Sequence, residues 1–405
     1  MKDELSYMII TPYTIVKSRT GGVISRLLSR VDLELVAAQV LAPTREVAQA
    51  YADYFVSLKA TTHPRAAEIL GEYVLRTFTP SEGRRHRIML LLFRGDDACR
   101  KLADIAGALF PENLSIESIR GETIRDTYLD LIWSRTDPGK VDYFEPAVLT
   151  APSMERAVQS LKIFAEFASK ESNLVANMRY PDPKKIERTL VIIKPDNWRA
   201  PSTRPGSIID MFSRTGLRII GIKVYQMSVN EAMEFYGPVR EALVHRLAPA
   251  AALRAKAVLE REFNLSLPAD VEDSLVRSFG RRYAEDQFSR IVEFMSGRRP
   301  EACTEEEKAG PGRVKSLLLC YEGESAVRKI RDVLGPTDPS KAPGGTVRAD
   351  FGSNIMENTA HASDSPDSAD REMRIVRMSE NNLSSIILDY LKAWERRPAS
   401  ERAGA

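Results

Sequence analysis

The stretch Arg348–Glu372 reads RADFGSNIMENTAHASDSPDSADRE and sets His361 among small and polar residues directly ahead of a helix start. Ser363, Asp364 and Ser365 can cap the helix that Pro366 begins and Glu372 continues. Short polar side chains accept from the orphan N–H groups of a first turn, and proline tolerates the first helical position. A histidine held on a loop against those N–H groups faces a setting suited to an anion, phosphate above all. The chain has four histidines, and His63, His86 and His245 lie in runs that read as ordinary helix or loop surface.

Outward from this stretch, the chain repeats itself. Near its start a strand, YMII (Tyr7 to Ile10), runs into Thr11-Pro12; a Gly21-Gly22 turn then opens a helix, VISRLLSR, and a strand, LELVAAQVL. From Arg188 the same order returns as RTLVIIKPD, a loop to Gly206, a helix SIIDMFSRTG and a strand LRIIGIKVYQM. REVAQAY, ending at Tyr51, aligns without a gap on NEAMEFY, ending at Tyr236, and GDDACRKLADIAGAL (Gly95 to Leu109) aligns on GESAVRKIRDVLGPT (Gly323 to Thr337). Strands RIMLLLF and VKSLLLCY precede the second pair, and MRIVRM and LKIF are the candidates for each final strand. Four matched blocks in one order imply an internal duplication with a shared fold. Strands alternating with helices predict an α/β (α+β) unit in which helices pack on a four-stranded sheet.

The quoted segment resembles the active-site segment of nucleoside diphosphate kinases, in which a histidine followed by Gly-Ser-Asp-Ser becomes phosphorylated. Ala362 stands where that family usually has glycine, so a slightly altered backbone is expected there. The resemblance implies a ferredoxin-like antiparallel sheet in each unit. It also covers Lys194-Pro195-Asp196, Tyr236, Arg331, Thr337, Arg348, Asn358, Ser363, Asp364 and Glu372, and needs no gap from Arg331 to Glu372. In that family Lys194, Tyr236, Arg331, Thr337, Arg348 and Asn358 correspond to phosphate, ribose and nucleophile-positioning residues, with Phe288 as the aromatic that stacks on the base; its other reading is a core aromatic in the helix DQFSRIVEFM. Arginine forks suit phosphate oxygens, and stacking tolerates any base.

Imidazole titrates near neutrality, so a neutral His361 can attack a γ-phosphoryl group and later return it to a diphosphate. Glu372 would fix its tautomer. Mg²⁺ would be held mainly by the nucleotide phosphates. Two other readings stay open: a nucleotide-binding scaffold with weak turnover, and a phosphohistidine relay to a protein. No G-x-x-x-x-G-K-[ST] and no helix-opening G-x-G-x-x-G occur, which argues against P-loop and dinucleotide sites.

The first unit matches in pattern and not in chemistry. Thr11 stands for Lys194, Ala103 for Arg331 and Leu109 for Thr337, while Tyr51 and Arg125 survive. Val148, or Ala147 if the register slips, takes the place of the histidine.

The expected division is 1–165 for the degenerate unit, 166–187 for a linker and 188–378 for the catalytic unit, with 379–405 as a C-terminal helix and tail. That helix has Ser379 as N-cap and covers a groove or a neighbouring subunit. A helical insertion at about 237–282 separates Tyr236 from Phe288, with breaks near Pro249 and Pro268. Its two readings are a packed embellishment and a lid beside the nucleotide.

A net charge of +2, from 58 basic and 56 acidic residues, argues against specific nucleic-acid or membrane-surface binding. Three cysteines, Cys99, Cys303 and Cys320, form no CxxC pair, and no run of about 18 apolar residues occurs. The expectation is a cytoplasmic protein that binds nucleoside tri- and diphosphates and self-associates through nucleoside diphosphate kinase-like interfaces.

Overall fold

The computed structural model describes residues 3–57, 64–109, 121–137, 141–176 and 179–398. The end of the expected tail, 399–405, lies outside them. The strands are β1 (Asp3–Ile10), β2 (Glu34–Leu41), β3 (Ile88–Asp96), β4 (Asp130–Trp133), β5 (Val141–Glu145), β6 (Val148–Thr150), β7 (Ile186–Ile193), β8 (Arg218–Tyr225), β9 (Ser316–Glu324) and β10 (Ala360–Ala362).

Two four-stranded sheets have the same order, β2-β3-β1-β6 and β8-β9-β7-β10. The central strand of each runs antiparallel to both of its neighbours. Each is a ferredoxin-like unit with helices packed on the sheet. The backbone repeats in detail as well: Asp97 and Ser325 are both left-handed (φ 59° and 54°), as are Gly107 and Gly335 (φ 85° and 84°). A hairpin of β4 and β5 is an addition in the first repeat.

The final strands are not the expected apolar runs. MRIVRM begins inside the helix Pro366–Ile375, and LKIF lies inside the helix Met154–Ala168. A short apolar run cannot by itself separate strand from buried helix. The fourth strands are instead VLT (β6) and AHA (β10), so His361 sits on a strand rather than on a loop.

β1 is buried on both faces, which explains its nearly continuous apolar sequence. Leu5, Tyr7 and Ile9 face one core with Tyr51, Phe164 and Leu149. Met8 and Ile10 face a second core that also contains Val191, Ile193 and Ile208 of the second repeat. The repeats therefore share a core.

They meet through matching helices, Thr20–Arg30 and Arg204–Ser213. Gly21-Gly22 lies inside the first of these helices rather than in a turn before it. Close approach is the physical reason: a Cβ on Gly21 would fall 2.5 Å from Gly206 O, and one on Gly206 would fall 2.4 Å from Gly21 O. Reciprocal contact of this kind is the signature of a two-fold-like interface, here closed within one chain.

The C-terminal helix, Leu383–Glu395, is capped at Asn382 and not at Ser379, whose carbonyl accepts from Asn173 N at 2.9 Å. It covers the first repeat of its own chain. Leu383, Ile387, Tyr390, Leu391 and Trp394 join Leu161 and Phe164 in the core, and Ser384 Oγ donates to Ala165 O at 2.7 Å.

Tyr225–Ser316, with Arg374–Val376, forms a second compact unit. Its long helix Gly237–Phe263 runs unbroken through Pro249, contrary to the expected break. Pro249 and His245 are both exposed, so the carbonyl that proline leaves without a donor meets water. The chain turns at left-handed Asn264, and Pro268 caps the next helix, Ala269–Leu275. Among the described residues no helix is long and apolar enough to cross a membrane.

Gly206→Ala is expected to destabilise the chain by roughly 1–3 kcal/mol through overpacking, read as a lower denaturant midpoint. An unchanged midpoint would show that the helix pair re-spaces freely.

Candidate functional site

β10 carries the centre of the site. His361 pairs with Ile192 on β7, and its neighbours Ala360 and Ala362 turn into the shared core. Period-two alternation then puts the imidazole on the opposite face. Ala362 is buried in regular strand conformation, so its methyl group is accommodated by the sheet.

His361 Nε2 lies 2.9 Å from Glu372 Oε2, and Ser363 Oγ donates to the same oxygen at 2.7 Å. Glu372 is 5% exposed on the helix Pro366–Ile375. An ionised carboxylate only accepts, so Nε2 supplies the proton and the lone pair of a neutral imidazole resides on Nδ1. Ser363 does not cap the helix. It ties into β7, with Leu190 N donating to its hydroxyl at 3.3 Å, and Ser365 is the residue that accepts from the first turn, from Ser368 N at 3.1 Å. Asp364 is exposed, and the Ser368 hydroxyl, with help from Arg331, holds its carboxyl below the ordinary value.

A second cluster lies at the end of β7. Lys194 Nζ donates to Asn358 Oδ1 at 2.7 Å and to Met356 O at 3.2 Å, and Asn358 Nδ2 donates to Thr337 O at 2.9 Å. Burial, and then the charge of Arg348, bring the Lys194 ammonium down to about 8. Arg348 Nη1 donates to Gly335 O at 2.9 Å and Nη2 to Ala360 O at 3.0 Å. Its fork therefore grips main chain on either side of the site. Arg331 and Thr337 are exposed, Arg331 in the last turn of the helix Ala326–Leu334.

Tyr236 and Phe288 belong to the second compact unit. Tyr236 ends the helix Val229–Phe235, and Phe288, 4% exposed on the helix Arg281–Ser296, has the Arg240 guanidinium 5.6 Å from its ring centre.

Three positioning residues escaped the sequence reading. Thr359 precedes β10 with φ 76°, Asn197 Nδ2 donates to its carbonyl at 2.8 Å, and Arg204 approaches its hydroxyl at 3.4 Å. Asn197 adjoins the Lys194-Pro195-Asp196 motif, a signal that could have drawn attention to it. A threonine gives no sign of positive φ. Among the described residues no three or more His, Cys, Asp or Glu gather to hold a metal ion.

In the first repeat the equivalent of His361 is Leu149, one residue beyond Val148 and two beyond Ala147. The register shows it: Ile10 pairs with Val148 as Ile193 pairs with Ala360. Ala147 has φ 61° where Thr359 has φ 76°. Leu149 also lies in the first core beside Tyr7 and Tyr51, so the face that holds the imidazole in one repeat is packed hydrocarbon in the other. The arginine survives with its bonds: Arg125 donates through Nη1 to Gly107 O and through Nη2 to Val148 O at 2.9 Å.

The fold and site together define an α+β unit with a carboxylate-held histidine on its fourth strand. The family described as "Nucleoside diphosphate kinase" matches residues 187–247 and 305–381 and leaves 248–304 between them unmatched. A nucleoside diphosphate kinase from Bdellovibrio bacteriovorus is 32% identical over 190 residues, 47% of this chain and 92% of the relative. One from Staphylothermus marinus is 31% identical over the same shares. The chain belongs to the nucleoside diphosphate kinase family.

Arg125→Met strands the carbonyls of Gly107 and Val148, and is expected to cost roughly 1–3 kcal/mol for each buried acceptor left unpaired. Chemical denaturation of the full chain measures it, and a loss below that range would show that water replaces the guanidinium.

Proposed function

We propose that the second repeat is a nucleoside diphosphate kinase working in two half-reactions through His361. The supporting observation is the Ser363–Glu372–His361 chain, which fixes the imidazole on a rigid strand with its lone pair on Nδ1.

In the first half-reaction Nδ1 attacks the γ-phosphorus of a nucleoside triphosphate. A P–N bond forms, the bond to the β,γ-bridging oxygen breaks, and the diphosphate leaves with that electron pair. A second diphosphate reverses the step through its terminal oxygen. Glu372 stabilises the charge that grows on the ring as the bond forms. Lys194 and Arg331 supply the cations for the phosphates. Arg348 acts as a positioning residue through the carbonyls of Gly335 and Ala360. Asn358 holds Lys194. Mg²⁺ is proposed to accompany the nucleotide phosphates, where it would neutralise charge, and no protein ligand is assigned to it.

Intact-mass measurement after brief exposure to Mg-ATP is expected to show one added phosphoryl group, absent in His361→Asn and removed by GDP as GTP. Binding of ATP without that mass would reduce the second repeat to a nucleotide-binding scaffold. Glu372→Gln is expected to slow phosphorylation about 100-fold, because a neutral amide stabilises the charged ring poorly.

Lys194 gives a pH dependence of determined sign. A bound phosphate favours the ammonium form, so binding above pH 8 must take up a proton that the empty site has lost. Nucleoside diphosphate affinity is therefore expected to fall as pH rises through about 8, and to stay flat in Lys194→Arg. A flat wild-type profile would remove Lys194 from phosphate binding.

A further inference from the structure

Away from the His361 cluster, a cavity of about 340 Å³ opens among Arg84, His86, Arg87, Arg179 and Arg218, with Pro12, Ile15 and Val16 as an apolar wall. None of these residues belongs to the site described above. The cations come from three parts of the chain: the loop ahead of β3, the connection between the repeats, and the start of β8. A single repeat could not assemble them.

Uncharged groups hold these side chains in place. Arg218 Nη1 donates to Arg179 O at 3.0 Å, and its guanidinium lies 4.6 Å from the centre of the Tyr180 ring. Arg179 Nη2 reaches Gly83 O at 3.5 Å, and Arg87 donates to Ile219 O. Arg85, also on the cavity, is paired with Glu171 at 2.7 Å. Among the described residues Arg84, Arg87, Arg179 and Arg218 form no ion pair with a carboxylate. Glu322, the acid that acts on Arg87, is engaged by Arg188 at 2.7 Å and by the Tyr180 hydroxyl at 2.8 Å.

Gathered guanidinium groups whose nearest acid, Glu322, is already shared with Arg188 and Tyr180 repel one another. Burial, and then Arg218, pull the Arg87 guanidinium down to about 10, a cost that an entering anion would offset. A singly charged anion would leave most of this charge unanswered. Arginine forks match phosphate oxygens in geometry, and a chain of phosphoryl groups presents several such edges at once.

We propose that this cavity is a second ligand site that binds a small molecule bearing two or more phosphoryl groups. The phosphoryl chain sits among the arginines. An inorganic polyphosphate and a nucleoside polyphosphate share this chemistry, and the wall of Pro12, Ile15 and Val16 gives the second a surface for its base. Nucleic acid is disfavoured, since the cations are confined to a cavity on a chain with a net charge of only +2.

The test is calorimetric titration of the full chain at fixed ionic strength with tripolyphosphate and, separately, with ATP. It compares the wild type with Arg84→Ala/Arg179→Ala, two exposed side chains whose removal leaves the core untouched. The expected result is a binding event, beyond that of the His361 pocket, which the double variant weakens at least about tenfold while its melting temperature holds. ATP and tripolyphosphate of equal strength at this site would identify the phosphoryl chain alone as the ligand, and tighter ATP would identify a nucleotide. The proposal is overturned if the double variant titrates like the wild type, or if a short single-stranded RNA binds through these arginines and tripolyphosphate does not.

Discussion

A guanidinium clamp on main-chain carbonyls organises each repeat. Arg348 ties Gly335, at the end of one helix, to Ala360, at the head of the fourth strand, and Arg125 ties Gly107 to Val148 in the same way. The fourth strand is only three residues long, too short for ladder hydrogen bonds alone to fix it. Anchoring its leading carbonyl sets the register against the central strand, and that register decides which side chain faces the site. The clamp is common to both repeats, whatever their chemistry. Buried carbonyls need a donor whether or not a nucleotide binds.

On this common frame the repeats have gone opposite ways. In the second, the position after Ala360 is an imidazole backed by a buried carboxylate, and the strand end holds a lysine. In the first, the same positions are Leu149 and Thr11. Leu149 packs with Tyr7, Tyr51 and Phe164 under the C-terminal helix, while Thr11 Oγ1 donates to Ala147 O at 3.1 Å. Hydrocarbon has replaced the imidazole, and a hydroxyl satisfied by the chain's own backbone has replaced the ammonium. Tyr51 survives as a core residue, fully buried with its hydroxyl 3.1 Å from that of Tyr7.

The duplication and the four-stranded antiparallel sheets were legible because motif spacing survives in the linear chain. His361 lies beside Glu372, and Lys194 beside Asn358, at neighbouring ends of β10 and β7. Weak local signals misled the reading elsewhere. MRIVRM and LKIF are apolar enough for a strand, and their burial on helices follows from packing that no short window contains. AHA is too short and too small to announce a strand. The slip from Leu149 to Val148 arose because the loop ahead of it differs in length between repeats, and only the pairing with β1 resolves it. Gly21-Gly22 looked like a turn because glycine usually marks one, whereas here it clears space for Gly206. Pro249 is tolerated because the carbonyl it deprives lies on a wet face.

The helix Leu383–Glu395 carries a consequence for how the chain acquires its structure. It follows the second repeat in sequence, yet its apolar face completes the core of the first. On a ribosome the first repeat would emerge with the surface around Leu161 and Phe164 uncovered and remain so until the second repeat had been made. The second repeat would then be finished before the first, although the first is translated earlier. Premature termination between Glu372 and Leu383 would leave a chain that keeps His361 and Glu372 but has an open hydrophobic face, the condition that chaperones and proteases recognise.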